Sequence, residues 1–414
     1  MPGTTRTTRP VGSSVLEGHA PPMPRLLHMA DVHLGARHRD LGDAADRQRA
    51  RQLAAYRRAM DVAIERRVDV VLICGDLFDS NSQHRRTVEQ AAAELHRLTD
   101  ANIRSVLIPG THDAYDPASI YRAFDLRAMA GQPAGSDLVT VLAAPPAPAD
   151  VVFPDLDLVV HGRVFATKRA PRSPLDGFSA AAETRARWQV AMIHGAVRIP
   201  GKVETDDVIV DEAEIAASGL DYLALGHWHS HLEGRSGAVS WAYPGAPEPV
   251  AVDQDGAGGV LIVTLEESGG QRRVTTERVA VSRTSHRALD VDAAGIASEE
   301  ALVAKLGATP DPDLMLDVRV VGIRPDTLTL DPVKVSAALA GAFLRVRVRD
   351  RSVPAPPSGE LPPADTILGR FVRDLEERIA RAEASGDAED LADAREVQRL
   401  GRLLLDTPRD VTLA

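Results

Sequence analysis

Five short clusters carry the side chains able to bind a cation or move a proton. They are Asp31 and His33 in Asp-Val-His, Asp76 in Gly-Asp, and Thr111, His112 and Asp113 in Gly-Thr-His-Asp. His194 stands alone, and His227 and His229 share Gly-His-Trp-His. Carboxylates and imidazoles without a thiolate form a hard-to-borderline donor set that suits Mn, Fe or Zn. More such groups are on offer than one tetrahedral ion takes. Sites that hold two ions about 3.5–4 Å apart use a shared ligand between them, and Asp76 is the natural bridge.

The elements that must position these groups are short apolar runs. Residues 70–79, VVLICGDLFD, are β-branched at Val70, Val71 and Ile73 and are closed by Gly75. That composition predicts a strand buried on both faces. Asp76 then stands at its carboxyl end, the edge where open α/β sheets bind ligands. Four other runs end the same way: 26–30 before Asp31 and His33, 105–109 before Thr111, His112 and Asp113, 190–193 before His194, and 222–225 before His227 and His229. Any one of these polar residues is explained as a strand cap. The five together point to one rim.

In this order, Asp31-Val32-His33-Leu34-Gly35, Gly75-Asp76-Leu77-Phe78-Asp79, Gly110-Thr111-His112-Asp113, His194 and Gly226-His227-Trp228-His229 resemble the motifs of the calcineurin-like metallophosphoesterases. Within that group the chain looks most like the SbcD/Mre-type nucleases, the phosphoesterase subunits of double-strand-break repair complexes. Five ordered motifs are far more specific than one. The resemblance implies an α/β fold, a four-layer βαββ sandwich over residues 25–282, followed by a small α/β capping domain over 283–352. It also implies a helical hairpin at the C-terminus that docks on an SbcC-like coiled-coil ATPase, and a homodimer.

By the same resemblance two divalent ions, Mn²⁺ first among them, are the cofactors. Asp31, His33, Asp76 and His229 hold one, and Asp76, His194 and His227 hold the other. His112 protonates the leaving group or stabilises the transition state, with Asp113 orienting it. Thr111 is a departure, because the family carries there an Asn whose carbonyl is a ligand of the second ion. The implied activity is phosphodiester hydrolysis at DNA ends, as an exonuclease or an endonuclease. Two alternatives stay open. A metallophosphatase or cyclic-nucleotide phosphodiesterase uses the same metal core, and a catalytically weak DNA-end or partner-binding subunit is consistent with Thr111.

The chain has 414 residues, enough for two or three domains. Its formal net charge of −11 argues against general attraction to nucleic acid, though not against a local basic groove. Cys74 is the single cysteine and falls in a buried run, so it reads as a core thiol, and no internal disulfide is possible. That fits a reducing cytoplasm. Residues 1–24 lack an apolar core of the secretory type and read as a disordered extension, with Met23 an alternative start. No run reaches membrane-spanning length, and no membrane partner is expected.

Between the motifs, helices are expected over 46–67 and 86–99. Arg47, Arg49, Arg51, Arg57 and Arg58 of the first read as a solvated face. Strands over 138–142, 156–164, 238–243, 259–265 and 273–281 suggest a second sheet packed on the first. Lys168, Arg169 and Arg172 read as a plain surface loop, with contact to a DNA backbone the weaker alternative. His28, His38, His84 and His161 read as structural histidines, and His231 as an outer neighbour of the site. Helices at 298–305 and 333–342 and strands at 314–321 and 344–348 build the capping unit. Residues 353–365 are a stiff proline-rich linker. In the tail, 366–414, Leu368, Phe371, Leu375, Ile379 and Ala382, then Leu391, Ala394, Val397, Leu400 and Leu404, trace two amphipathic helices that break near Gly386.

Overall fold

The computed structural model describes residues 23–180, 186–199, 201, 203, 205–251, 254–325, 327–354 and 363–406. The expectation for the N-terminal extension therefore lies outside the described residues except at 23 and 24, as does most of that for the linker. The chain forms two units: residues 1–36, 52–247 and 259–281 in one, and 37–51, 248–258 and 282–414 in the other.

The first unit holds β1 (Arg25–Met29), most of α1 (Ala45–Arg66), β2 (Val70–Cys74), α2 (Arg85–Asp100), β3 (Arg104–Ile108) and β4 (Val139–Val141). It continues through β5 (Asp150–Phe153), β6 (Leu158–Gly162), β7 (Trp188–His194), β8 (Ala196–Val197), β9 (Ile209–Val210) and β10 (Tyr222–Gly226). Then come β11 (Leu232–Ser236), β12 (Val239–Tyr243), β13 (Gly259–Ser268) and β14 (Gln271–Ala280). Two six-stranded sheets result, ordered β14-β13-β1-β2-β3-β4 and β11-β12-β10-β7-β6-β5.

Side chains alternate across a strand, and β2 shows what that does. Val70, Leu72 and Cys74 enter the core between the sheets with Leu158, Val190, Met192 and Tyr222. Val71 and Ile73 face the other way, onto Tyr56 and Met60 of α1 and Val88 and Leu95 of α2. On the far face of the second sheet, Ile193, Leu223 and Leu225 pack with Ile215 of the helix Glu212–Ala217. Helix, sheet, sheet and helix make the four layers expected.

Three strands change sheets relative to expectation. Strands β4, β13 and β14 join the first sheet rather than the second. Strand β13 runs antiparallel to β1, with Leu27 opposite Ile262, and β4 runs parallel to β3. Without the β13–β14 hairpin, β1 would leave its backbone groups unpaired along an open sheet edge. Four of the five arginines of the α1 face, Arg49, Arg51, Arg57 and Arg58, are paired with carboxylates. Arg57 reaches Glu94 at 3.1 Å and Arg58 reaches Glu65 at 2.6 Å. Arg51, only 5% exposed, pairs within the second unit with Asp313 and the Pro312 carbonyl.

The second unit is built on a parallel three-stranded sheet, with Asp311–Val321 between Ser285–Asp292 and Phe343–Asp350. Helices Glu299–Gly307 and Pro332–Leu339 contribute Leu302, Leu306, Val335 and Leu339 to its core. Ser298 and Asp331 cap their N-termini by accepting backbone N–H groups. Helices Ile367–Ser385 and Ala388–Asp406 form the tail, turning at Gly386 with φ 73°. Leu375, Ala382 and Ala394 of the expected stripes are buried, whereas Val397 and Leu404 are exposed; the side chain of Leu400 lies outside the described set. Among the described residues, no helix is long and apolar enough to cross a membrane.

Candidate metal centre

Each run delivers its polar residues through a tight turn just past the strand. Asp31, His33, Asp76 and His227 all have positive φ, at 56°, 51°, 51° and 103°. Such backbone costs about 1–3 kcal/mol per residue and gathers at functional sites. Close packing of the strand ends requires glycine: a Cβ on Gly110 would sit 2.2 Å from Asp76 Oδ1, and one on Gly226 would sit 1.9 Å from the Cys74 carbonyl oxygen.

The turns bring the carboxylates and imidazoles into one buried cluster. Asp31, His33 and His229 form one group whose ligand atoms lie within 4.8 Å of one another; Asp31, Asp76 and His194 form a second, and His33, Asp76 and His112 a third. His194 Nε2 is 3.1 Å from Asp76 Oδ2 and 4.0 Å from Asp31 Oδ1. His33 Nε2 is 3.1 Å from His229 Nε2 and 3.9 Å from Asp76 Oδ2. Both carboxylates are thus shared between groups. Asp31 joins those of His229 and His194, and Asp76 joins those of His194 and His112. Thr111 lies beside them, its hydroxyl donating to Asp76 Oδ2 over 3.5 Å, the outer limit of a hydrogen bond.

The electrostatics follow from that crowding. Burial opposes the charge on His194, but the Asp76 carboxylate, helped by Asp31, outweighs it and pushes the imidazolium up to about 10. Burial likewise opposes ionisation of Asp76, yet His194, His33 and His112 hold its carboxyl below the usual range. His33 is burdened by burial and is raised on balance by Asp79, Asp76 and Asp31. His229 is lowered by burial, with Asp31 offsetting only part of it.

The donor set fits divalent cations on a geometric ground as well. His194 Nε2 and His33 Nδ1 are buried and make no hydrogen bond among the described residues. The first is aimed at two carboxylates; the second lies 3.4 Å from Asp79 Oδ1, an ion-pair distance. A buried imidazole nitrogen left without a hydrogen bond is costly, and a cation at these carboxylates would satisfy it.

Two expected residues stand elsewhere. Among the described residues Asp113 makes no hydrogen bond to the His112 ring, and its buried carboxylate accepts from other donors. It accepts from the backbone N–H of Gly110 at 2.7 Å, Phe78 at 3.1 Å and Asp76 at 3.2 Å, and from the Tyr121 hydroxyl at 2.6 Å. His112 Nδ1 instead donates to the Asp79 carbonyl at 3.0 Å. His227 lies outside the three groups; its Nε2 is 3.1 Å from Asp206 Oδ2, while its backbone N–H donates to Asp31. Asp79 and Asp206 are the partners that the sequence did not single out. Asp79 was in view as the end of Gly-Asp-Leu-Phe-Asp, whereas Asp206 has no local signal. Of the histidines read as structural, His28 bonds the Tyr222 hydroxyl and His161 lies between Asp150 and Gln189, whereas His84 is exposed; His231, expected as an outer neighbour of the site, bonds the Tyr243 carbonyl.

A family model for calcineurin-like phosphoesterase matches residues 24–231, half of the chain and all five motifs bar none. The chain belongs to the calcineurin-like phosphoesterases. Among curated relatives of this phosphoesterase, the DNA double-strand break repair protein Mre11 of Aeropyrum pernix is 28% identical over 288 residues, which is 65% of this chain and 64% of the relative. The protein of that name from Methanopyrus kandleri is 27% identical over 263 residues, 59% of this chain and 55% of the relative. That from Saccharolobus solfataricus is 37% identical over 92 residues. The match therefore spans less than two thirds of the length of these relatives.

Proposed function

We propose that this phosphoesterase is a metal-dependent DNA phosphodiesterase of SbcD/Mre type, an exonuclease or endonuclease that processes DNA ends. The observation that carries the reading is the sharing of Asp31 and Asp76 among overlapping His/Asp groups at the ends of parallel strands. The similarity to proteins named for double-strand break repair supports DNA as the substrate.

Two divalent ions, Mn²⁺ in our reading, would be held by Asp31, His33, Asp76, His194 and His229, with His227 and Thr111 at the margin. Such ions neutralise phosphate oxygens and lower the pKa of an attacking water. The chain's own part is to fix that geometry. Asp76 is locked by the backbone N–H of His112, which donates to its Oδ1 at 2.7 Å. His112, exposed and held by the Asp79 carbonyl, would give a proton to the leaving oxygen. Residues 283–352 would orient DNA, the tail helices would dock on an SbcC-like coiled-coil ATPase, and the nuclease would work as a cytoplasmic homodimer.

The test is hydrolysis of linear duplex DNA in Mn²⁺, with Asp76→Ala as the control for contamination. Degradation lost in the control is the expected result. Activity on small phosphodiesters but none on DNA would replace this reading with a phosphatase or cyclic-nucleotide phosphodiesterase. The long Thr111 contact favours a second reading, a DNA-end or partner-binding subunit with a weak second metal site. Inactivity on every phosphoester, with one ion bound per chain, would establish that instead.

A further inference from the structure

Beside the His/Asp cluster runs a shallow groove lined by Thr111 and His194 together with Arg163, Phe165, Thr167 and Lys168 of the segment after β6. Its charge differs from that of its surroundings. Arg169 is neutralised by Asp207 at 2.8 Å and Arg172 by Asp176 at 3.5 Å. The two cations that line the groove have no carboxylate among the described residues. Arg163 donates through Nε to the Pro174 carbonyl at 3.1 Å and lies over the Phe178 ring, 4.6 Å from its centroid, so its position is fixed without its charge being cancelled. Lys168 is exposed. In a chain of net charge −11, two uncompensated cations at the mouth of this cluster mark a place for an anion. Phe165, half-buried, adds an aromatic ring to the same lining, and a basic groove combined with aromatic side chains is how proteins hold a single nucleic-acid strand.

We propose that this groove is a nucleotide subsite: it takes the nucleotide adjoining the phosphodiester at the cluster, with that nucleotide's phosphate against Lys168 and Arg163 and its base on Phe165. The inference rests on the phosphodiesterase reading above and deepens it. It makes substrate selection depend on a neighbouring nucleotide as well as on the reacting phosphate.

The test is binding of a labelled phosphorothioate decathymidylate, which resists hydrolysis, to the full chain in Mn²⁺, followed by fluorescence anisotropy across a salt series. Lys168→Ala should weaken binding about tenfold and reduce the slope of log K against log salt by about 0.7, one phosphate contact on a single strand. Phe165→Ala should weaken binding at least about fivefold with the slope retained, as loss of stacking requires. Arg169→Ala, whose charge Asp207 already cancels, should bind like the unaltered protein. Competition by inorganic phosphate separates a strand from a free anion: if Lys168→Ala weakens phosphate alone and leaves the oligonucleotide unaffected, the subsite serves a small phosphate and the proposal falls. If the unaltered protein binds no oligonucleotide, the DNA reading falls and the subsite with it. If it binds and both groove variants bind equally well, the subsite alone is wrong.

Discussion

The Asp113 carboxylate accepts the backbone N–H of Asp76 at 3.2 Å, so the turn after β3 is tied to the turn after β2 beneath the shared carboxylate. With Gly110, Phe78 and the Tyr121 hydroxyl also donating to it, this carboxylate holds three backbone groups that have been taken out of water. Asp113→Ala would orphan all three. Each buried, unpaired donor costs about 1–3 kcal/mol, so the variant should lose about 3–5 kcal/mol of stability in urea unfolding. Tyr121→Phe, which removes one donor and orphans none, should lose about 1 kcal/mol. A variant at Asp113 with full stability and slow turnover would instead return Asp113 to the role of orienting His112.

Thr111 offers a short hydroxyl, and its contact with Asp76 Oδ2 is 3.5 Å. On the two-ion reading proposed above, Thr111→Asn should tighten the weaker Mn²⁺ equivalent about tenfold, in the range that neighbouring groups contribute to metal affinity. Calorimetric titration of protein stripped with EDTA resolves the two equivalents. Identical isotherms for the two proteins would mean that position 111 has no access to either ion.

Gly226 closes β10 where it passes β2. A Cβ there would lie 1.9 Å from the Cys74 carbonyl oxygen, 2.8 Å from His194 Nδ1 and 2.9 Å from the Ala30 Cβ. Two of these neighbours belong to strand ends that hold the cluster, so they have no free direction in which to yield. Gly226→Ala should cost about 2–3 kcal/mol, as overpacking of a core does. Gly295→Ala, with nothing within 4 Å of the new methyl, should change stability by less than about 0.5 kcal/mol. Thermal unfolding of the pair separates a steric requirement from a general dislike of alanine.

The centre was legible because each of its strands writes the same local sentence, an apolar run, a turn and a polar residue, and because sheet edges gather such turns. What was hidden depends on distance in the chain. Nothing around Gly259 says that β13 lies against β1 rather than in the second sheet, since that choice is made by the open edge of β1, more than two hundred residues earlier. The strand Ser285–Asp292 is mostly polar and exposed, so it shows no apolar run to read. Asp206 meets His227 across 21 residues, and Arg51 is buried by Asp313 far along the chain. Partners of this kind are set by the fold, and no spacing announces them.

His28 lies within β1, fully buried, with Nδ1 2.8 Å from the Tyr222 hydroxyl and Nε2 3.1 Å from the Leu225 carbonyl. Burial pushes its pKa down to about 3, the Leu225 carbonyl opposing and His231 adding to the shift. In the unfolded chain the same imidazole titrates near 6.5. Between those two values the unfolded state binds a proton that the folded state refuses, so stability must fall as pH drops from about 6.5 towards 3. The loss approaches about 1.4 kcal/mol for each pH unit inside that window and is absent above it. His28→Gln keeps a donor and an acceptor at the site but cannot titrate. Its unfolding free energy should therefore decline less steeply than that of the unaltered protein, by about 1.4 kcal/mol per unit between pH 6 and pH 4. The comparison is made in urea at each pH, and contributions from the other titrating groups cancel in the difference. Parallel curves would show that His28 takes up its proton in the folded protein as readily as in the unfolded one.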